Sequence, residues 1–514
     1  RGLGDVYKRQ NNGVLTSNGV SFEGNSGTTF TVNGANNNGI LKDTKGDATF
    51  ATSAGTVFKI LGTGTGTGSN IGINNTAGNI TFNNGSNSKF DISGTGPSGG
   101  TGASNTGIYT TAGTLTMHDV KFDIAGRSNN GILASGSGAQ TIYNTNFEIS
   151  GTENAGIVSV SSAGVLTLAY HDGALGTFSL SGDNLVGVYL DNGNANPLSD
   201  YNFNGNSSTK STGVYIKSGS LTSNGVQYSF GGSNNHGIFV DSGATLGGVG
   251  YGRQRSLFNM SGDFSNGIYM ASGSVLSGSD IDASFTVGGK KSNGIRLDNT
   301  VADNNFYGSY DIQGNESNGI LFNAASGKSI IDASFTVAGD TSNGVWVAGN
   351  ATSLHVDSSF TVSGKYSNGL YIGNRSGAAA TVAAMTVTNS SFDVTGTSST
   401  GINIDDTGTT IAPTITNTTF SVKGNNVTSD GNRSAGLYLS RGTSGATFEP
   451  NTSFNMYNGG ATGIAMNTNT AYGTSNKTLT FNGKYGSPVA FNVGVDDGSK
   501  YNTGILIQSG DANN

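Results

Sequence analysis

The phrase SFTVGGKKSNGIRLDN starts at Ser284, SFTVAGDTSNGVWVAG at Ser334 and SFTVSGKYSNGLYIGN at Ser359. A repeat of fixed length constrains a fold more than any other feature of a sequence. Each copy is a supersecondary unit that cannot bury its apolar face alone, so the copies must stack. Glycine followed by Ile, Val or Leu marks the unit, and sixteen clear anchors run from Gly39 to Gly504. From Gly107 onward the spacings lie between 24 and 41 residues, and nine of the fourteen lie between 24 and 27. The unit is about 25 residues long and takes insertions.

Each unit has two recognisable halves. The first is aromatic-x-aliphatic-x-Gly, as in Phe122/Ile124/Gly126, Phe285/Val287/Gly289 and Phe360/Val362/Gly364. The second is Gly-Ile-x-aliphatic, as in Ile268/Met270, Ile295/Leu297 and Val345/Val347. Apolar residues two apart are the strand period, so each half buries one face. A weaker alternation, as in SVLSGSDID (274–282), fills the rest of the unit. The glycine after the first strand and the Asn-Gly before the second are expected to turn the corners with positive φ.

Three short strands per unit, without a helical period, predict an all-β parallel β-helix of about 25 residues per rung. A leucine-rich repeat would need a leucine framework, and a β-propeller a period near 40 residues. With rungs ~4.8 Å apart, sixteen or seventeen of them would form a rod of roughly 80 Å. Residues 11–514 read as one solenoid, less regular over 11–105 and regular over 106–507.

Composition agrees. Gly is 84 of 514 residues and charged residues are 11 %, about double and under half of the usual ~7 % and ~25 %. Disorder is the other reading of such a chain, but 25 Phe and 19 Tyr in a regular pattern favour strands. There is no cysteine, which excludes disulfides and thiolate metal sites. A net charge of −7 gives no reason to expect nucleic acid. The longest apolar run, AAATVAAMTV (378–387), falls short of the ~20 residues of a membrane span. No cofactor and no metal are expected.

Candidate chemistry is sparse. His236, in NNHGIF, could suggest the Gly-His-Gly of pectin-cleaving β-helix hydrolases, but it sits at the ordinary slot before an anchor glycine. His118, His171 and His355 fall in different units without metal-ligand spacing. The carboxylate pairs Asp405/Asp406 and Asp496/Asp497 are sequence neighbours that read as turns. A glycosidase needs two carboxyls facing each other across a cleft. Three residues before the Phe stands a column of Asn144, Asp282, Asp332, Asp357, Asn389, Asn417 and Asn451. Asp332 and Asp357 are one unit apart, and a cation could relieve their repulsion. An Asx turn with the charges splayed into solvent is the plainer account. Asn426-Val-Thr and Asn476-Lys-Thr are sequons expected by chance in a chain this rich in Asn, Ser and Thr.

Before the anchor glycine stand Asn130, Asn266, Asn293, Asn318, Asn343 and Asn368, which read as a structural amide ladder between rungs. The units differ most at the turn between them and in inserted loops such as GGVGYGRQRS (247–256) and GNRSGAAATV (373–382). Insertions in solenoids commonly mark the binding face. The candidate binding residues are therefore Arg253, Arg255, Lys290, Lys291, Lys365 and Tyr366; neutral variation on a solvated ridge accounts for them equally well.

The F-x-V-x-G-x-x-S-N-G-I units, low charge, missing cysteine and irregular loops resemble bacterial autotransporter passenger domains and related large repeat adhesins, over residues from about 30 to 507. The resemblance implies a non-enzymatic rigid scaffold outside a bacterial cell, secreted or held at the outer membrane, that presents loops to a host-cell, bacterial or glycan surface. The alternative is a polysaccharide-acting β-helix enzyme or phage tailspike. Residues 1–10, RGLGDVYKRQ, resemble the translation of a transposon end used in sequencing libraries and are set aside, and truncation is expected at both ends.

Overall fold

The structure is a computed structural model that describes residues 12–16, 19–25, 27–34, 36–43, 46–63, 69–95, 105–160, 164–173, 175–277, 280–298, 304–324, 326–373, 380–405, 411–424, 434–440, 443–467, 477–494 and 501–508. The chain divides into two compact units. The first runs to Phe239 and takes in Gly243–Thr245 and Gly252–Gln254; the second holds Val240–Ser242, Leu246–Tyr251 and Arg255 onward.

Each unit is a parallel β-helix. Every rung gives its Gly-Ile-x-aliphatic strand to one sheet and its other strands to a second sheet. In the second unit the first sheet runs in register from Asn266 through Asn293, Asn318, Asn343, Asn368 and Thr400 to Ala435. In the first unit it runs from Asn12 through Asn38, Ile71, Thr106, Asn130 and Ala155 to Val186. The turn averages about 28 residues, because insertions lengthen rungs such as Asn368 to Thr400 and Thr400 to Ala435 while pairing resumes in register beyond them.

The core is made of columns. In the second unit Phe258, Phe285, Tyr310, Phe335, Phe360, Phe392, Phe420, Phe454 and Phe491 stack face to face, with ring centroids 4.7–4.9 Å apart. Phe30, Phe58, Phe90, Phe122, Phe147, Phe178 and Phe203 stack likewise in the first, at 4.5–5.0 Å. Each buried ring contributes on the order of 1.5–3 kcal/mol by burial, and stacking adds ~0.5–1.5 kcal/mol per pair.

The corner before the first sheet is built otherwise than the sequence suggests. Asn293-Gly294 is not the turn; it opens the strand Asn293–Leu297. The left-handed residue lies three positions before the anchor glycine, whatever its type: Phe264 (φ 55°), Lys291 (55°), Glu316 (56°), Thr341 (56°) and Tyr366 (55°). Rung stacking holds it there, since Lys291, Glu316 and Thr341 donate their backbone N–H to Asn315, Asp340 and Lys365 of the next rung at 3.0, 2.9 and 2.7 Å. The following serine is the fixed element. Ser292, Ser317, Ser342 and Ser367 are fully buried. The N–H groups of Ser292, Ser317 and Ser342 each donate to the next serine hydroxyl at 3.1 Å.

Glycine is required at the anchor because rungs approach closely. A Cβ on Gly344 would stand 2.6 Å from the Gly369 carbonyl oxygen and 3.1 Å from the Phe360 ring. Thr341 and Gly344 should therefore respond in opposite directions. Thr341→Gly relieves a β-branched residue of a left-handed φ and is expected to stabilise by about 1 kcal/mol. Gly344→Ala forces overpacking and is expected to cost about 1–3 kcal/mol. Urea denaturation of the two variants checks both signs.

Candidate functional site

A groove of about 500 Å³ opens on the second unit, crossing strands from rung to rung. Its wall is the column three residues before the stacked aromatic. Asp282, Tyr307 and Asp332 are register neighbours on successive rungs, with Asp357 and Asn389 beyond them and Arg255 before them. Ser334, Ser359 and Ser391 supply exposed hydroxyls along it. At one end the Arg255 guanidinium meets the Asp282 carboxylate at 2.7 Å and lies 5.0 Å from the Tyr251 ring centre. Further along, Asn389 donates to Asp357 at 3.0 Å and Asn417 donates to Asn389 at 2.9 Å. Among the described side chains no ion pair reaches Asp332 or Asp357. Burial raises the Tyr307 phenol above its ordinary value, and the charges of Asp280, Asp332 and Asp282 add to the shift.

The floor is held from beneath. Ser358 is buried, accepts the N–H of Ala333 at 3.1 Å and donates to the Ile331 carbonyl at 2.9 Å. Its own N–H goes to the Ser390 hydroxyl at 3.0 Å. The Asx-turn expectation divides in two here. Asn144, Asn389, Asn417 and Asn451 have φ of 47–62° and break the strand. Asp282 and Asp332 instead lie inside the continuous strands Ile281–Val287 and Ser326–Val337. Among the described residues no group of three or more His, Cys, Asp or Glu is placed to hold a metal ion, and no helix is long and apolar enough to cross a membrane.

The amide ladder is continuous over five of its six named residues. Asn293, Asn318, Asn343 and Asn368 each donate to the preceding asparagine, starting at Asn266, at 2.8 Å. Asn130 stands outside it, between Thr106 and Ala155. Lys290 and Lys291 both reach Glu316, at 2.9 and 3.5 Å, and Lys365 lies 4.8 Å from the Tyr366 ring centre. Arg253 and Arg255, two residues apart, part company. Arg253 lies 3.9 Å over the Tyr170 ring in the first unit and its N–H is bound by Asp200 at 2.8 Å. Asp406, Asp496, Asp497, Asn426, Asn476, residues 1–10 and residues 374–379 lie outside the described residues.

Two features were missed in the sequence. Tyr307 occupies the slot of the acidic column, as does Arg255, which was named only as a loop residue; counting three back from every stacked aromatic, Tyr310 and Phe258 included, would have placed both. The x of Gly-Ile-x-aliphatic faces outward and is often aromatic. Tyr189, Tyr215 and Phe239 meet edge to face at 5.2 and 5.0 Å in the first unit, and Trp346 lies 5.9 Å from Tyr371 in the second. The chain matches no family model and no curated protein.

The histidines are not all scattered. The His118 ring stacks on Tyr143 at 4.5 Å and is edge-on to His171 at 4.9 Å. Burial first, then the charge of His171, holds the His118 imidazole below its ordinary value, and Asp119 opposes the shift. The unfolded chain therefore takes this proton first. The contribution of His118 is full above about pH 6.5 and is lost as the pH falls from there through the folded value. NMR titration is expected to place His118 below ~6.5, and His118→Gln to flatten the acid limb of a denaturation–pH profile.

Proposed function

We propose that this chain is a bacterial surface or secreted protein of the β-helical passenger and adhesin kind, and that it attaches to glycan-bearing surfaces without cleaving them. The observation that carries the reading is the groove. Successive rungs each contribute one side chain to it, so a line of Asp282, Tyr307, Asp332, Asp357 and Asn389 is presented on one rigid wall. A ligand that extends along the rungs meets a new donor or acceptor about every 4.8 Å. Serine and asparagine offer adaptable hydrogen bonds to sugar hydroxyls, and the Tyr307 ring offers a flat apolar face. The resemblance of the repeat to passenger domains supports placement outside the cell. Fold alone does not set function, so the reading rests on this wall.

The test is binding of the full chain to immobilised glycans and to whole bacterial or animal cells. Saturable binding is expected, and the triple variant Asp332→Asn/Asp357→Asn/Tyr307→Ala is expected to weaken it by about tenfold or more, as loss of charged hydrogen bonds and a stacking face would. Binding that the triple variant leaves unchanged would move the function off the groove. Release of oligosaccharides from a bound polymer would replace attachment with the cleaving reading.

A further inference from the structure

We infer that Lys42 and Asn75 join in an isopeptide bond, a covalent cross-link between adjacent rungs of the first unit that the chain forms by itself. The cross-link is independent of the groove and of what the groove binds. A core pattern is broken here. The last inward position of the Gly-Ile-x-aliphatic strand carries Leu190 and Ile216 on neighbouring rungs of this unit, and Leu297, Phe322, Val347 and Ile372 in the second. All of these are buried. Earlier in the first unit the same position carries Lys42, Asn75 and Thr110, register partners on successive rungs. Lys42 and Asn75 are 0 % exposed, and among the described residues Lys42 is the one charged side chain buried to that degree. Burial holds its amine below the ordinary value, and the charge of Asp47 opposes the shift. Desolvation favours the free amine, which is the nucleophilic form of a lysine.

The carboxamide one rung on is turned for the reaction. Asn75 Nδ2 donates to the Gly78 and Ala112 carbonyls at 3.0 and 2.8 Å and to the Thr110 hydroxyl at 3.3 Å. Thr110 and Ala112 belong to the rung on the side of Asn75 away from Lys42. Asn75 Oδ1 is buried and has no hydrogen-bond partner among the described residues. Buried polar atoms in native proteins are nearly always satisfied. A plain hydrogen bond from the Lys42 amine to this carbonyl would have satisfied it, and none is made. Register partners lie ~4.8 Å apart at Cα, so a lysine stem that stays in the core reaches the level of the Asn75 carboxamide.

The step balances without a co-reactant. Lys42 Nζ attacks Asn75 Cγ as the free amine. The Nζ–Cγ bond forms and the Cγ–Nδ2 bond breaks. One amine proton passes to Nδ2, which leaves as ammonia, and nothing is oxidised or reduced. The three acceptors around Nδ2 receive the N–H groups of the departing ammonia. The product is a neutral secondary amide, so the core no longer holds an ionisable amine. The bond ties together two rungs whose mutual support is otherwise non-covalent and restricts the unfolded chain between them.

The experiment is intact mass spectrometry of the folded full chain, followed by sequencing of its proteolytic fragments. The mass is expected to fall below that of the sequence by one ammonia, about 17 Da, with a branched fragment in which Lys42 and Asn75 are joined. Lys42→Met, which keeps a long unbranched stem, and Asn75→Ala are each expected to restore the full mass. An Asn-Gly pair that closes to a succinimide loses the same mass, so the position of the loss decides. A mass equal to that of the sequence would overturn the cross-link. An ammonia loss found only in linear fragments would overturn it as well. The unsubstituted chain decides the matter even where a variant fails to fold.

Discussion

Backbone hydrogen bonds between successive rungs are the constraint on which everything else here depends. They hold each residue about 4.8 Å from its counterpart one turn away. Position in the rung thereby becomes position in a column, and a side chain is acceptable only if it tolerates a copy of itself above and below. Phenyl rings do, and Phe335 lies 4.7 Å from Phe360 with the planes 5° apart. Primary amides do, since each donates to one neighbour and accepts from the other, as from Asn266 to Asn368. Buried serines do, because a hydroxyl can accept from one rung and donate within another. Charges do so where the neighbouring column carries the opposite sign: in the first unit Lys89 stacks on Lys121 and Asp91 on Asp123 and Glu148, and the two columns form one ion-paired lattice.

Asp332 and Asp357 lie on neighbouring rungs of the second unit, and no ion pair among the described side chains joins either of them. Proteins that are consistent at every level elsewhere tend to break a local rule at functional sites. The groove also separates function from stability. Its side chains face outward from a scaffold whose stability comes from inward columns and nearest-neighbour rungs. Exposed substitutions such as those at Asp332 and Ser334 should then cost little, usually within ~0.5 kcal/mol, and the surface can vary while the core stays fixed.

The fold was legible because columns repeat. Phe285 and Val287, then Ile295 and Leu297, give the strand period twice per unit, and the ~25-residue recurrence allows little besides a solenoid. The corner was misread for a physical reason. Asn-Gly ordinarily marks positive φ, but here stacking places the left-handed conformation on Lys291, Glu316 and Thr341, residues with no intrinsic preference for it. The glycine serves close backbone approach instead. The candidate site was half legible. Asp332 and Asp357 were found because they share a spacing. Tyr307 was not, because it replaces the acid in the same column. The meeting of His118 with His171 depends on a corner conformation that no local pattern encodes.

The register itself is open to a direct measurement, helped by the absence of native cysteine. Thr336 and Thr361 are exposed register partners on adjacent rungs. The double variant Thr336→Cys/Thr361→Cys places Cα atoms ~4.8 Å apart, inside the range a disulfide requires. Thr336→Cys/Ser363→Cys shifts one partner by two residues and takes the pair beyond that range. Thiol titration after mild oxidation should show the first pair closed and the second open. A second pair that closes as readily as the first would contradict the stacking on which the core columns, the amide ladder and the groove all rest.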